Sequence, residues 1–140
     1  MNLQIALNED LQSCHALRRV VFIEEQQVPE AEEVDGRDGD ALHLLAQIDG
    51  VPVGCARLLL SGETGKIGRV CVLGNLRGKG IGAGLIRTAL DVLRDRPGIM
   101  QARLGAQIHA IGFYEALGFV AEGPEYLDAG IRHRDMVRDV

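Results

Sequence analysis

Cysteine is scarce in this sequence and badly placed for cross-linking. Cys14, Cys55 and Cys71 are odd in number, far apart and never spaced as Cys-x-x-Cys. That excludes a disulfide framework and a zinc knuckle and leaves reduced thiols as the expectation. Histidine is equally thin: the four, at 15, 43, 109 and 133, share no ligand spacing, so no metal is expected. Positive charge also falls short. With 15 Lys and Arg against 20 Asp and Glu the formal net charge is -5, a balance that speaks against phosphate backbones and anionic lipid. Neither nucleic acid nor membrane is expected as a partner. Nowhere do eighteen apolar residues run together, and the opening MNLQIALNEDLQ has no basic stretch leading into an apolar one, so the expected location is cytoplasmic. There is no tract of Ser, Gln or Pro, no internal repeat and no linker.

What is present is 46% apolar and 25% charged, enough to close one core, and residues 1–140 are expected to form one domain. Leu3, Ile5 and Leu7 alternate with polar neighbours and predict a first strand with one buried face. From Leu11 the positions Leu17, Val20, Val21 and Ile23 predict a helix that must end before Pro29. The acidic PEAEEVDGRDGD that follows reads as a loop or short irregular turn. Ala41 to Ile48 and Val51 to Leu60 predict two antiparallel strands joined at Asp49-Gly50, and Lys66 to Leu73 a third. Beyond a glycine-rich stretch, Leu85, Ala89 and Leu93 with Ile86 and Leu90 mark an amphipathic helix stopped by Pro97-Gly98. Ile99 to Leu104 predicts a strand, and Ile108, Ile111 and Leu117 a helix ending at Gly118. Two short strands, near Phe119 and from Ile131 to Val137, complete the chain. The order describes an α/β fold: a mixed, mostly antiparallel sheet with helices on both faces.

The glycine-rich stretch, Val70 to Gly84, passes from a strand through a loop with few side chains into that amphipathic helix. Such a junction aims unpaired N–H groups and the positive end of a helix dipole at one point, and pyrophosphate is its natural guest. Arg77 and Lys79 add charge, and Gly78, Gly80 and Gly82 permit close approach. A Walker loop is excluded. It needs four residues between its first Gly and its Gly-Lys pair, Gly74 and Gly78 enclose three, and Gly80 stands where Ser or Thr belongs. A dinucleotide fingerprint, Gly78-x-Gly80-x-x-Ala83, is formally present. The acidic residue expected roughly 20 positions on is not: the next strand ends in Leu104-Gly105-Ala106-Gln107.

Arg77-Gly-Lys-Gly-Ile-Gly82 resembles the pyrophosphate loop of the GNAT acetyltransferase superfamily, and Phe113-Tyr-Glu-Ala-Leu-Gly-Phe119 resembles that superfamily's second signature. Val21-Phe-Ile-Glu-Glu-Gln-Gln-Val-Pro29, Glu33-x-Asp35-x-x-Asp38, His43 and Ala129-Gly-Ile-x-His133 are similar to its ElaA-like branch. The resemblance spans the whole chain. It implies an acyl-CoA N-acyltransferase fold and acetyl-CoA as co-substrate. The backbone of Val70, Cys71 and Val72 would meet the pantetheine arm and the acetyl carbonyl. Residues Gly78, Lys79, Gly80, Ile81, Gly82 and Ala83 would hold the pyrophosphate. Gln107 stands where many relatives carry an Asn on the pantetheine arm, and Tyr114 matches the tyrosine that protonates the leaving thiolate.

Transfer from a thioester to an amine requires a neutral amine, a polarised carbonyl and a proton for sulfur. Tyr114 is the candidate acid, and His43 and His133 are the candidate bases. The carboxylates Glu33, Asp35 and Asp38 are candidates for recognising a cationic amine, small or on a protein. A calcium loop is excluded by residue order. Direct transfer is expected rather than a covalent step on Cys71. Two rival readings are an acyltransferase like the acyl-homoserine lactone synthases, which share Arg18-x-x-Val-Phe22 and Gly54-x-x-Arg57-Leu-Leu, and a non-catalytic acyl-CoA sensor. Oligomeric state is open, a homodimer being common in such folds.

Overall fold

A computed structural model describes residues 2–140. Its strands are β1 Leu3–Leu7, β2 Leu42–Ile48, β3 Val51–Ser61, β4 Thr64–Val72, β5 Gln101–Gln107, β6 Val120–Asp128 and β7 Ile131–Asp139. They form one seven-stranded sheet in the order β1-β2-β3-β4-β5-β7-β6, antiparallel throughout except between β4 and β5. The helices are α1 Leu11–Arg18, α2 Glu30–Glu33, α3 Ile81–Arg94 and α4 Ile111–Glu115. The mixed α/β fold is therefore as expected. None of the helices among the described residues is long and apolar enough to cross a membrane.

Each face of the sheet carries its own core because successive strand residues point to opposite sides. On one face α3 inserts Ile81, Leu85, Ile86, Ala89, Leu90 and Leu93 against Leu44, Ala56, Leu58 and Ile67, with Phe119 and Met136 completing the cluster. Each of these large side chains is worth about 1.5–3 kcal/mol on burial, so α3 is the main anchor of the fold. On the other face α1 covers a smaller core of Cys14, Leu17, Val21, Leu45, Cys55 and Cys71. Asp10 starts α1 by accepting the Ser13 N–H at 3.0 Å. The β2–β3 hairpin closes at Asp49-Gly50, both at positive φ (51° and 82°), as its tight turn demands.

Several elements differ from the sequence expectation. Leu3 and Leu7 are exposed, and only Ile5 of β1 packs against the core, because β1 is an edge strand whose neighbour lies on one side only. The helix begun at Leu11 turns π-helical over Arg19–Glu25, which leaves Val20 exposed while Val21 stays buried. The acidic segment holds α2 and a 3₁₀ turn, Asp38–Asp40. The last helix is shorter, Ile111–Glu115 after a 3₁₀ turn, and the last two strands are longer, nine residues each. Exposure explains the missed length of β6: Val120 and Leu127 face outward, so no apolar alternation marks it.

Candidate active site

The site begins with a failure of pairing. Parallel strands β4 and β5 bond over four residues, Thr64–Ile67 against Gln101–Leu104, and then part. β4 runs on to Val72 and β5 to Gln107 without a shared ladder. The cause is in β4, where Arg69 sits at φ 52° and the register against β3 shifts between Cys55 and Arg57. A bulge of this kind bends its strand and leaves backbone groups without partners.

Antiparallel phase decides which groups those are. Leu73 N–H donates to Val53 O at 3.0 Å, so Cys71, two residues earlier and opposite Cys55, also turns its N–H and C=O toward β3. Val70 and Val72 present theirs to the open side. Cys71 is thereby removed from the backbone contacts expected of Val70, Cys71 and Val72. Its thiol is buried under α1, 3.4 Å from Cys55 Sγ. Contact with Cys55 and burial push the Cys14 thiol up; contact with Cys14 lowers the Cys55 thiol, but Cys71 and burial outweigh that contact and raise it. None of this resembles an activated nucleophile.

β4 leads through a 3₁₀ turn, Gly74–Leu76, into α3. Gly80 precedes the helix at φ 84° with no capping side chain, and the first helical bond runs from Gly84 N to Gly80 O. The N–H groups of Ile81, Gly82 and Ala83 thus lie ahead of the helical ladder. Arg77 does not add free charge here: its guanidinium donates to Glu25 at 2.6 and 3.0 Å and to Val72 O at 3.0 Å. It clamps the loop to the end of the π-helical segment. Lys79 makes no ion pair among the described residues.

Where β4 and β5 part, a pocket of about 310 Å³ opens on the α1 side of the sheet. Val70, Gln107, Tyr114 and His133 line it, with Phe22 from the π-helical segment and Gln26 just after it, Glu32 and Glu33 from α2, and Tyr126 from β6. Tyr114 is wedged edge-on between Phe113 and Phe119, with ring centroids 5.0 and 6.0 Å away. Burial raises its hydroxyl to about 12, so it is protonated at any working pH. His133 donates from Nδ1 to Ile131 O at 2.7 Å, because a carbonyl can only accept; Nε2 is left with its lone pair. Its ring stacks on Tyr126 at 5.9 Å, and it faces Gln107 across the β5–β7 ladder. Gln107 itself donates to Gln26 at 3.1 Å and bonds His109 at 2.9 Å.

His43 and the acidic residues lie elsewhere or are already engaged. His43 is outside the pocket wall and donates to Asp38 O at 2.9 Å. Glu33, Asp35 and Asp38 form a network with Arg18 and Arg57. Arg18, fully buried, bonds Glu33 at 2.5 Å and Asp38 at 2.9 and 3.1 Å; Arg57 bonds Asp35 at 2.9 Å twice and Asp38 at 3.2 Å. The hydrogen bond from Arg57 holds Asp35 down at about 2. Burial alone would raise Asp38, but Arg18, His15 and Arg57 outweigh it and hold it far below the carboxylate range. These carboxylates brace α1 and α2 against β3. Arg57 in an apolar run is a legible signal of a buried partner; nothing local marks Arg69.

Both aspartates are stronger acids folded than the roughly 3.9 of an unfolded chain, so they stabilise the fold above about pH 4. That contribution is lost as pH falls toward 2. Asp38→Asn should lower the unfolding free energy by roughly 3 kcal/mol at pH 7 by stranding buried Arg18, and the difference from the parent should shrink in acid. Urea titrations at pH 7 and pH 3 measure both effects; equal stability of variant and parent at pH 7 would reject the bracing role.

A family model described as "Acetyltransferase (GNAT) domain" matches residues 10–140. Protein ElaA of Escherichia coli is 36% identical over 129 residues, covering 89% of this chain and 84% of its own length. The crystal structure of ElaA superposes with a TM-score of 0.83 over 98% of each chain, at 32% identity. An acyl-CoA N-acyltransferase from Pseudomonas aeruginosa superposes with a TM-score of 0.87 at 33% identity, over 98% of this chain and 99% of that one. At the level of fold alone, a Bacillus subtilis acetyltransferase crystallised with CoA is similar, with a TM-score of 0.76, 19% identity and 99% of each chain covered.

Proposed function

The chain belongs to the GNAT acetyltransferase family, in its ElaA-like branch, and on that premise we propose that it moves an acetyl group directly from the thioester of acetyl-CoA to a primary amine. One observation carries the reading: the parted strands β4 and β5 open a pocket that holds both Tyr114 and His133, and Phe113, packed on Tyr114, comes within 3.6 Å of a Cβ placed at Gly82 in the first turn of α3. The pantetheine arm lies along the open edge of β4 as an added strand, on the backbone groups of Val70 and the N–H of Val72, whose carbonyl is already held by Arg77. The pyrophosphate sits on the backbone from Gly78 to Ala83. The N–H of Val70 polarises the acetyl carbonyl, where negative charge develops on oxygen.

His133 takes the proton of the attacking amine at Nε2, and Tyr114 serves the departing sulfur. Transfer is direct because the one cysteine of β4, Cys71, is buried away from the pocket. The acceptor is a small-molecule amine or a protein amine. The free thiols, two of them 3.4 Å apart, fit a reducing compartment such as the cytoplasm.

Release of free CoA from acetyl-CoA across a panel of amines tests the reading. Tight CoA binding with no release for any amine would make the protein a sensor instead. With a working acceptor, His133→Gln should lower kcat by about 10²-fold, whereas His43→Gln should leave kcat within a factor of about three. Equal losses in the two variants would remove His133 from the base role.

A further inference from the structure

Three arginines meet beside the pocket, and they are not used alike. Arg18 has a partner at every nitrogen: Nε bonds Glu33, and Nη1 and Nη2 bond Asp38. Arg57 spends Nη1 and Nη2 on Asp35 and Asp38, but its buried Nε has no acceptor. Arg69 is the least satisfied. Its Nη2 reaches the carbonyls of Glu32 and Glu33 at 3.3 and 3.1 Å and Asp35 at 3.3 Å. Its Nε is 3.6 Å from Glu33 Oε1, beyond hydrogen-bond length, and its Nη1 makes no hydrogen bond among the described residues. A buried donor without an acceptor is costly, and native folds rarely keep one without a use. Burial and the charge of Arg57 disfavour the Arg69 cation. An incoming anion would offset that charge and accept from Nη1; the buried Nε, closed in beside Glu33, is out of its reach.

Arg57 and Arg69 are in the pocket wall, and so is Lys66, which makes no ion pair among the described residues. Their network is balanced as a whole, with Arg18, Arg57 and Arg69 against Glu33, Asp35 and Asp38. Lys66 stands outside that network and has no carboxylate within ion-pair distance among the described residues. The wall also holds Glu32 and Asp128, whose carboxylates make no ion pair among the described residues. Unspent groups of both signs face one space.

Resting on the acyl-transfer reading above, we propose that the acceptor is a small amine that also carries an anionic group, received by Arg69 and Lys66. Glu32 and Asp128 attract the ammonium end before it loses its proton. The strained bulge at Arg69 has then a second purpose: it parts β4 from β5 for the cofactor and turns a guanidinium toward the acceptor.

Calorimetry on the wild-type protein tests this with compounds shaped like the product, and saturating CoA keeps the phosphate loop filled. The probes are N-acetylglycine, N-acetylaminomethylphosphonate and the neutral N-acetylglycinamide. At least one anionic probe should bind roughly ten-fold tighter than the amide or better, as expected of a desolvated charged hydrogen bond. The stronger of the two identifies a carboxylate or a phosphonate-like group. Arg69→Gln should erase the preference and Lys66→Gln, at a more accessible position, should weaken it. Equal affinity for charged and neutral probes, no measurable binding of either anion, or a preference that survives both substitutions would overturn the proposal. Binding of CoA is measured first and the probes are repeated without it. Absent CoA binding counts against the acyl-transfer reading, and absent anion preference counts against this one.

Discussion

Replacing Tyr114 with Phe should cut turnover by about 10²-fold or more while leaving the affinity for acetyl-CoA unchanged. The ring keeps its place between Phe113 and Phe119, so the packing of α4 survives and only the hydroxyl is lost. Burial raises that hydroxyl to about 12, well above the roughly 8.5 of an ordinary thiol. Full proton transfer to a thiolate is therefore uphill. The hydroxyl acts first as a hydrogen-bond donor to the charge growing on sulfur. Loss of one such donor in a water-poor site commonly costs 10²–10³ in rate, about 2.7–4 kcal/mol. Because Tyr114 stays protonated, the pH–rate profile of the parent should show no alkaline fall from this group below about pH 10. Single-turnover kinetics with the Phe variant decides the matter: parental rates would mean that water or another group serves the sulfur.

Valine at Gly80 should lower the affinity for CoA by about 10²-fold or more in a protein that still folds. A Cβ at this position would meet no protein atom within 4 Å, so it enters open space, where a phosphate held on this loop would meet it. The φ of 84° adds a cost of roughly 1–2 kcal/mol for any L side chain, and more for a β-branched one. Both effects act on the one turn that aims the N–H groups of Ile81, Gly82 and Ala83. The helix behind it is held by its buried face, from Ile81 to Leu93, and should remain. Circular dichroism establishes the fold and calorimetry the affinity. Undiminished binding in a folded variant would move the phosphates away from this loop.

Much of the fold was legible wherever a signal was local. The stripe from Ile81 to Leu93 marked α3 because an apolar residue every three or four positions serves only a helix with one buried side. Asp49-Gly50 marked its hairpin because few pairs accept two positive φ angles. Gly78 to Gly82 marked a loop open to an anion. Legibility failed where the governing contact was distant. Arg77 reads as a phosphate ligand until Glu25, 52 residues away, is seen to hold it. Asp35 and Asp38 read as a solvated or substrate-facing run until Arg18 and Arg57 arrive from α1 and β3. Arg69 had no reading at all, since nothing beside it in sequence foretells that a bulge opposite Cys55 and Arg57 would carry it into the pocket wall.

The sequence by itself thus determined the strand–loop–helix that presents N–H groups to an anion, the buried stripe that fixes α3 on the sheet, and the aromatic segment that carries Tyr114. Each depends on backbone preferences and spacings within a few residues, which any chain with those residues must obey. Only the tertiary structure decided that β4 and β5 would part after four bonded residues, that Cys71 would turn its backbone to β3, and that His133 rather than His43 would share the pocket with Tyr114. Those outcomes depend on register between segments far apart in the chain, where a shift of one residue sends every side chain to the opposite face and no local preference records which choice is made.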